Sequence, residues 1–401
     1  MTAPDQLGDV ITLGCRLNLA ESELIRGLIG RDTVVVNSCA VTAEATRQSR
    51  RAVRKARADH PEARLIVTGC AATIEPLAFA AMPEVDGVVL NEAKLLPETW
   101  GAKASPERFA HSITHTRAFV PVQTGCDHAC TFCVIPQGRG PSRSLPVAEV
   151  LRAVARHLDA GTKEVVLTGV DLTAWGADLP DQLRPNCSRL GALVAAILAE
   201  FPDLRRLRLS SLDGVEIDGQ LFELIAHHPG VMPHVHLSLQ AGDDMVLKRM
   251  KRRHSRRQAV DLVGRLRAAR PEIAIGADLI AGFPTETPAM HANSLALVAE
   301  CGIVHGHVFP YSARPGTPAA RMPPVDGTEV RARAAALREA VAHERALWLG
   351  GLIGKPQAVL AERDGTGHSG AFAPYRLPPR ARAGEILTLT PTRIVEGMLV
   401  P

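Results

Sequence analysis

The sequence predicts an α/β protein that has an N-terminal open parallel α/β domain, a central partial (β/α) barrel and a small C-terminal β-barrel. Three observations support this. A chain of 401 residues is too long for one ordinary core. Short β-branched apolar runs alternate with helical stretches through most of it. The tail alternates between strand-like runs and Gly or Pro turns. We place the domains at residues 1–100, 118–347 and 352–401.

The N-terminal domain contains three predicted strands, each of which ends near a cysteine. The runs are "DVITLG" before Cys15, "DTVVVNSC" ending at Cys39 and "EARLIVTGC" ending at Cys70. Helical stretches separate them, so the strands are expected to be parallel. Because the carboxyl ends of parallel strands line one edge of a sheet, we expect the three cysteines to meet there. Any one of them alone could equally be a buried structural cysteine.

The pattern breaks into a linker around residues 97–118 and resumes in the central domain. The strand candidates there are "KEVVLTGVD", "LRRLRLSSLD", "HVHLSLQ", "EIAIGADLIAGFP" and "IVHGHVFPYS". The polar residues at their ends are Asp171, Ser210, Ser211, Gln240 and Asp278. This edge is the functional face of β/α barrels. A long helix, "VRARAAALREAVAHERALWL", precedes the C-terminal β-rich segment.

The composition of the chain narrows the classes of function that we expect for this protein. The N-terminus lacks the basic and apolar regions of a signal peptide, and no apolar run reaches the ~18 residues of a membrane span, so we expect a cytoplasmic protein. Aromatic residues make up only 3%, which disfavours a surface of many stacking rings. A net charge of +4 permits a nucleic-acid partner without requiring one. Eight cysteines in a reducing compartment favour metal binding or catalysis over disulfides.

The stretch "GCDHACTFC" places Cys126, Cys130 and Cys133 in a C-x3-C-x2-C spacing. One interpretation is a structural zinc site with His128 as the fourth ligand. Structural zinc normally takes ligand pairs from two knuckles, and no second knuckle is nearby. An iron–sulfur cluster usually takes four cysteines. Three cysteines on one loop would leave one iron open to a small chelating ligand.

This spacing, with Phe132 before the last cysteine, resembles the radical S-adenosylmethionine (SAM) superfamily. Wider motifs resemble the methylthiotransferases within it, and the C-terminal segment resembles a TRAM domain, an RNA-binding module. The motifs are "GCRLNLAESE", "NSCAVTAEA", "VTGCAA", "IPQGRGPSRS", "RLSSLDG", "HLSLQAGDD", "MKRRHSR", "AGFPTET" and "HVFPYSARPGTPAA". "GCRLN" and "ARPGTPAA" look most like the branch that acts on N6-threonylcarbamoyladenosine in tRNA.

The resemblance implies two 4Fe–4S clusters, with SAM as methyl donor and as radical source. The triplet cysteines (Cys126, Cys130, Cys133) would hold one cluster and the auxiliary cysteines (Cys15, Cys39, Cys70) the second. A deoxyadenosyl radical would remove the hydrogen from carbon 2 of the adenine, where the methylthio group is delivered. The clusters carry this chemistry, so no side chain is assigned as catalytic. Cys187 and Cys301 fit neither set and are expected to be structural.

The expected partners are tRNA and an electron donor such as flavodoxin or ferredoxin, with no membrane and a monomeric chain. Alternative substrates are N6-isopentenyladenosine in tRNA and a ribosomal protein. A non-enzymatic RNA-binding protein with structural metal sites is the alternative outside this class.

Candidate SAM-pocket residues are the strand-end polar groups and the aromatic residue of the triplet loop. They are Phe132, Thr168, Gly169, Ser210, Gln240 and Asp278. Turn and cap positions favour such residues anyway, so a structural role stays open for each, including a helix cap at the "GVD" turn. Arg139 and Arg143 could meet carboxylates or phosphates of substrate or cofactor, or simply be solvated.

Two basic stretches are candidate tRNA contacts. Residues 47–57 hold six basic residues and no acid, and residues 248–257 hold seven. The candidates are Arg47, Arg50, Arg51, Arg54, Arg252 and Arg253. Clustering of charge, more than its total, is the nucleic-acid signal, although such runs are usually solvated faces. His254 stands where the resembled family usually has a tyrosine.

Overall fold

A computed structural model describes residues 8–102, 116–180 and 189–401. The chain divides into two compact units. The first comprises residues 1–114, 124–143 and 312–317, and the second comprises residues 115–123, 144–311 and 318–401. Most of the expected linker and Cys187 lie outside the described residues.

The first unit contains an open four-stranded sheet in the order β1-β2-β3-β4, in which every neighbouring pair is parallel. Its elements are β1 (Asp9–Thr12), α1 (Arg16–Arg26), β2 (Thr33–Ser38), α2 (Ala43–Asp59), β3 (Arg64–Gly69), α3 (Cys70–Ile74), α4 (Pro76–Ala80) and β4 (Gly87–Val88). Two hydrophobic clusters draw on alternate residues of its strands, so the sheet is buried on both faces. The predicted parallel α/β domain is confirmed.

The next elements belong to the segment after the linker. They are β5 (Arg117–Pro121), β6 (Gln123–Thr124), α5 (Ile135–Arg139), β7 (Arg143–Ser144), α6 (Val147–Asp159), β8 (Glu164–Thr168), α7 (Leu190–Glu200), β9 (Leu207–Leu209) and β10 (Ser211–Leu212). They continue as α8 (Gly219–His227), β11 (His234–Gln240), α9 (Asp244–Arg249), α10 (Arg256–Ala269), β12 (Ala274–Ala281), α11 (Pro288–Glu300), β13 (Ile303–Pro310) and α12 (Gly327–Gly350). Of these, α5 lies in the first unit.

The second unit contains two parallel sheets, in the orders β5-β8-β9 and β10-β11-β12-β13. A single large core packs the helices against these strands. Ser210 alone separates β9 from β10, so the two sheets follow one another along the chain as in a partial (β/α) barrel. Strand β5 falls at the edge of the expected linker and was not among the predicted strands.

The C-terminal segment forms a six-stranded sheet within the second unit, in the order β17-β14-β15-β16-β19-β18. Its strands are β14 (Gln357–Ala361), β15 (Thr366–Ser369), β16 (Pro374–Arg376), β17 (Ile386–Leu389), β18 (Arg393–Val395) and β19 (Met398–Val400). The predicted change to an all-β segment after α12 is confirmed. In the part of the chain that the structure describes, every helix is too short or too polar to cross a bilayer.

Candidate cluster sites and cofactor pocket

The auxiliary cysteines follow the carboxyl ends of three adjacent parallel strands. Thr12 lies opposite Asn37, which lies opposite Thr68, so the three strands end in register. Gly14 and Gly69 then turn the chain with φ of 92° and 93°, a region that favours glycine. A side chain at either position would overlap the neighbouring strand end: Cys39 at the first, Ser38 at the second. The two glycines therefore allow the chain to turn sharply into α1 and α3.

These turns set the surroundings of the three thiols. Cys15 is the N-cap residue of α1, Cys70 is the first residue of α3, and Cys39 follows β2. Cys39 and Cys70 are buried and Cys15 is exposed. Burial raises the pKa of Cys39 to about 11, and the nearby Cys15 and Cys70 thiolates add to the rise. The donors are therefore three soft thiols at adjacent strand ends, one of them solvent-accessible, and thiolates are the ligands of iron–sulfur clusters.

Arg139 lies in the same unit, and its guanidinium is buried. It donates to both carboxylate oxygens of Glu21, at 2.8 and 2.9 Å, and to Asn18 Oδ1 at 2.5 Å. Lys94 Nζ donates to Glu21 Oε2 at 2.6 Å. Burial alone would lower the pKa of Arg139, but Glu21 and the Cys70 and Cys15 thiolates raise it. Arg139 thus already binds a carboxylate of the protein, and its expected contact with substrate or cofactor stays a prediction.

The triplet cysteines occupy a loop shaped by Gly125, whose φ is 73°. A Cβ at this glycine would overlap the carbonyl oxygen of Pro141, so the two arms of the loop approach as only glycine allows. The backbone N–H of His128 donates to Cys126 Sγ, and that of Ile135 donates to Cys133 Sγ, each at 3.4 Å. Backbone donors aimed at sulfur stabilise the thiolate form, the form that binds iron.

Helix α5 connects the triplet loop to the auxiliary cysteines. Gly138 packs so closely on Cys70 that a Cβ there would lie 3.3 Å from the cysteine's Cβ. Asn91 Nδ2 donates to Gly138 O at 2.5 Å and approaches Cys70 Sγ at 3.7 Å. The first unit therefore contains both cysteine sets, and one short helix runs from one set to the other.

In the second unit, Thr168 and Ser210 are buried where β8 and β9 end. Within the described residues, neither hydroxyl has a hydrogen-bond partner. Buried polar groups are normally satisfied, so an unpaired pair at strand ends favours a ligand site. Gly169 packs against Gln123, whose Oε1 accepts from the backbone N–H groups of Val170 and Asp171 at 3.0 and 2.9 Å.

Gln240, Phe132 and the strand-end residue Asp171 differ in backbone conformation or burial from Thr168 and Ser210. Gln240 has a φ of 66°, an uncommon conformation for a residue other than glycine and one that clusters at ligand sites. Phe132 is half-buried on the triplet loop. Asp171 precedes a short 3-10 helix, Leu172–Ala174, without capping it through its side chain. All six pocket assignments stay predictions.

Asp278 is held between two histidines. Its Oδ1 lies 3.1 Å from His236 Nε2 and 3.1 Å from His307 Nδ1. Burial alone would raise the pKa of Asp278, but the two histidines hold it well below its usual range. The His307 side chain is 61% exposed. A carboxylate that orients an accessible imidazole can position a hydrogen-bonding ligand.

The arginines of α2 all have carboxylates near them. Arg47 and Arg51 both pair with Glu44, at 2.6 and 2.7 Å, and both are more than 60% exposed. Arg50 pairs with Glu75, and Arg54 lies 3.8 Å from Glu84. The acids lie outside the 47–57 window, so the helix surface is less basic than that window suggests. Its role in tRNA binding stays a prediction.

The second basic stretch is partly internal. The side chain of Arg252 is only 8% exposed and donates to Asp213 at 3.0 Å and to Ser238 O at 2.9 Å. Arg253 is 42% exposed and pairs with Asp213 and Glu216. His254 is buried, its Nε2 lies 3.1 Å from Leu239 O, and burial lowers its pKa. These surroundings favour a structural role for Arg252 and leave Arg253 as the accessible cation of the pair. Arg143 is exposed.

Sequence reasoning missed four residues of these sites. Glu21 and Lys94 are separated by 73 positions, and no local pattern pairs them. His236 and His307 did carry a signal: "HVH" and "HGH" repeat histidine at the two-residue period of a strand. Cys301 is fully buried, and burial raises its pKa to about 11, consistent with the structural role expected of it.

Comparison with known proteins places this chain among radical SAM proteins. Residues 120–298 match the Radical SAM superfamily, and residues 9–90 match the uncharacterized protein family UPF0004. The chain is 43% identical to a threonylcarbamoyladenosine tRNA methylthiotransferase of Rickettsia prowazekii, over 98% of this chain and 96% of the relative. It is 31% identical to a tRNA-2-methylthio-N(6)-dimethylallyladenosine synthase of Cereibacter sphaeroides, over 88% and 87%.

A solved structure supports the fold. The radical SAM methyltransferase TsrM from Kitasatospora setae superposes with a TM-score of 0.52 at 16% identity, over 76% of this chain and 66% of that one. Fold and site together define a radical SAM enzyme. The chain belongs to the radical SAM methylthiotransferase family. Its cofactors are SAM and two 4Fe–4S clusters, and the single-zinc interpretation of the triplet is therefore wrong.

Proposed function

We propose that this protein adds a methylthio group to carbon 2 of N6-threonylcarbamoyladenosine next to the anticodon of tRNA. The observation that carries the proposal is the presence of two three-cysteine sets in one compact unit of the chain. The 43% identity to a threonylcarbamoyladenosine tRNA methylthiotransferase supports this substrate over the dimethylallyl one, whose relative is 31% identical.

In this proposal the triplet cysteines hold the cluster that binds SAM, and the auxiliary cysteines hold the second cluster. When bound, these groups supply a radical able to remove the hydrogen from carbon 2 and a methylthio group to replace it. An aryl C–H bond offers no acid–base handle, so the chain need not supply a general base. Its own side chains would bind and orient: the buried hydroxyls of Thr168 and Ser210 offer hydrogen-bond donors to a ligand of the second unit, and Asp278 orients His307.

The finer properties are also proposals. We propose a monomer in the cytoplasm that receives electrons from a flavodoxin or ferredoxin, with tRNA contacts at Arg47, Arg51, Arg143 and Arg253. These four arginines are solvent-accessible, as contacts with the phosphate backbone require. Light scattering of the purified protein tests the monomer.

The test of function is nucleoside mass spectrometry on tRNA from a strain lacking this gene, with and without the gene restored. We expect 2-methylthio-threonylcarbamoyladenosine to disappear and to return. A gene encoding Cys126→Ala should fail to restore it. Loss of the dimethylallyl product instead would reassign the substrate, and no change in either nucleoside would direct attention to a ribosomal protein.

A further inference from the structure

A buried ion network lies beside the auxiliary cysteines. Lys94 and Arg139 share the carboxylate of Glu21, and the three side chains are 1%, 2% and 5% exposed. Two cations against one anion leave one net positive charge inside the first unit. Buried charges are rarely left unbalanced, because their desolvation is costly. An unbalanced cation therefore points to a negative partner.

The remaining contacts of Arg139 do not supply that partner. Its other acceptors are Asn18 Oδ1 at 2.5 Å and Thr124 Oγ1 at 3.0 Å, both neutral. Asn18 in turn donates to the carbonyl oxygens of Leu13 and Ser38, at 2.8 and 3.0 Å, where the first two strands end. The network is thus fixed to the same strand ends that lead to the auxiliary cysteines, and those contacts leave its charge unchanged.

The auxiliary cysteines can balance this charge, because they follow the strand ends to which the network is bonded. Gly138, the neighbour of Arg139 in the chain, packs on Cys70. Burial lowers the pKa of Lys94, while Glu21 and a thiolate at Cys70 favour its charged form. Burial also opposes the charge of Arg139, but Glu21 and thiolates at Cys70 and Cys15 raise its pKa. Both cations therefore lie within electrostatic range of the site.

A 4Fe–4S cluster on three thiolates is anionic, and one electron from a reductant makes it more so. A nearby fixed cation favours the more negative form, and net charge is one of the factors that set cluster potentials. We propose that the Glu21–Lys94–Arg139 network raises the reduction potential of the cluster held by the auxiliary cysteines and increases its affinity for an anionic sulfur ligand. The proposal rests on the proposed function, which places a cluster there.

The test changes the charge of the Glu21–Lys94–Arg139 network while the auxiliary cysteines, the proposed cluster ligands, stay unchanged. In a Cys126→Ala background, which silences the triplet site, the full-length variants are Lys94→Gln, Glu21→Gln and the two changes combined. Counting the three side chains, the network carries no net charge in the first, two positive charges in the second, and one in the double variant. Glutamine keeps the side-chain length closely enough for packing to be compared. Iron content is measured first, and the midpoint potential then comes from a redox titration followed by electron paramagnetic resonance.

We expect the potential to follow net charge. Lys94→Gln should lower it and Glu21→Gln should raise it, each by at least tenfold in the reduction equilibrium, which is 59 mV for one electron. The double variant should return to the parent value. With hydrosulfide as the probe, the apparent dissociation constant should rise at least tenfold in Lys94→Gln only.

Midpoint potentials that do not follow the net charge of the network would overturn the inference. A double variant that shifts like Lys94→Gln would mean that the lysine acts through its contacts and not through its charge. Should Lys94→Gln lose iron, Glu21→Gln and the double variant still differ by one charge and must differ in the expected direction. Loss of iron in all three variants would mean that the network serves cluster assembly. Absence of iron from the Cys126→Ala parent would instead refute the assignment of the second cluster to the auxiliary cysteines.

Discussion

Replacing Glu164 with glutamine should destabilise the second unit strongly, because this carboxylate is the shared ion-pair partner of two buried arginines. Arg206 Nε donates to Glu164 Oε2 at 2.7 Å, and Arg208 Nε donates to Oε1 at 2.9 Å. The same guanidinium groups donate to the carbonyl oxygens of Ser369 and Gly370, at 3.1 to 3.4 Å, in the C-terminal segment. One carboxylate therefore supports the ion cluster that ties this segment to strand β9.

The magnitude follows from the electrostatics. Burial alone would raise the pKa of Glu164, but Arg208 and Arg206 hold it at about 2, against 4.5 for an unperturbed glutamate. That difference corresponds to about 3 kcal/mol in favour of the ionised form. Removing one partner of a buried ion pair generally costs ~3–5 kcal/mol, since the other charge stays buried. We therefore expect Glu164→Gln to lower the free energy of unfolding by about 3–5 kcal/mol.

The assay is urea unfolding followed by tryptophan fluorescence and far-ultraviolet circular dichroism, with Glu272→Gln as the matched control. Glu272 is 62% exposed and lies 3.0 Å from Arg270, so its ion pair should contribute no more than ~1 kcal/mol. The urea midpoint should fall by about 1 M or more in Glu164→Gln and hardly move in the control. Equal midpoints for the two variants would refute the reasoning.

The same carboxylate predicts a pH dependence. Its folded-state pKa lies below the unfolded value, so its stabilisation is complete above about pH 4.5 and is lost as the pH falls towards about 2. Glu164→Gln should lack this component. A variant that keeps the full acid sensitivity of the parent between these pH values would assign the effect to other groups.

Three further results are expected. Gly125→Ala should lose about half of the bound iron, because its Cβ would overlap Pro141, whereas Gly140→Ala, with a similar positive φ but open space around it, should lose much less; equal iron in both would contradict the loop geometry. Asp278→Asn should weaken SAM binding by about tenfold in equilibrium dialysis, the effect of about 1.4 kcal/mol, as His307 loses its orienting charge; unchanged binding would remove Asp278 from the pocket. Chelating the iron should leave the urea midpoint of the second unit unchanged, because the six cysteines proposed to hold the clusters all lie in the first unit; a lower midpoint would contradict this.

Much of the architecture was predictable because its signals are local. Strands such as β3 and β12 are continuous, mostly apolar runs that turn-forming residues separate from the neighbouring elements. Buried parallel strands require such runs. Strand β5 was missed because it directly follows a segment without periodicity. The cysteine spacing was equally local, and it predicts the triplet as three ligands with one position open.

The partners of charged side chains were the part that the sequence could not supply. Arg139 was expected to meet a carboxylate, but that carboxylate belongs to Glu21, which is 118 positions away. Arg252 was assigned to a basic surface, yet its side chain is only 8% exposed and pairs with Asp213. Such pairings depend on how distant elements pack, and a charge pattern within ten residues carries no information about that. The histidines beside Asp278 were partly predictable. Their two-residue spacing can be read from the sequence, but the fact that both contact Asp278 cannot.

We propose that this one chain uses two clusters to methylthiolate a tRNA adenosine. The most direct measurement incubates the reconstituted protein with SAM, sulfide, a reductant and tRNA that carries N6-threonylcarbamoyladenosine, and follows the nucleosides by mass spectrometry. We predict that the 2-methylthio nucleoside forms with the parent protein and not with Cys126→Ala or Cys70→Ala. Iron at eight per chain without any 2-methylthio product on this tRNA would contradict the account.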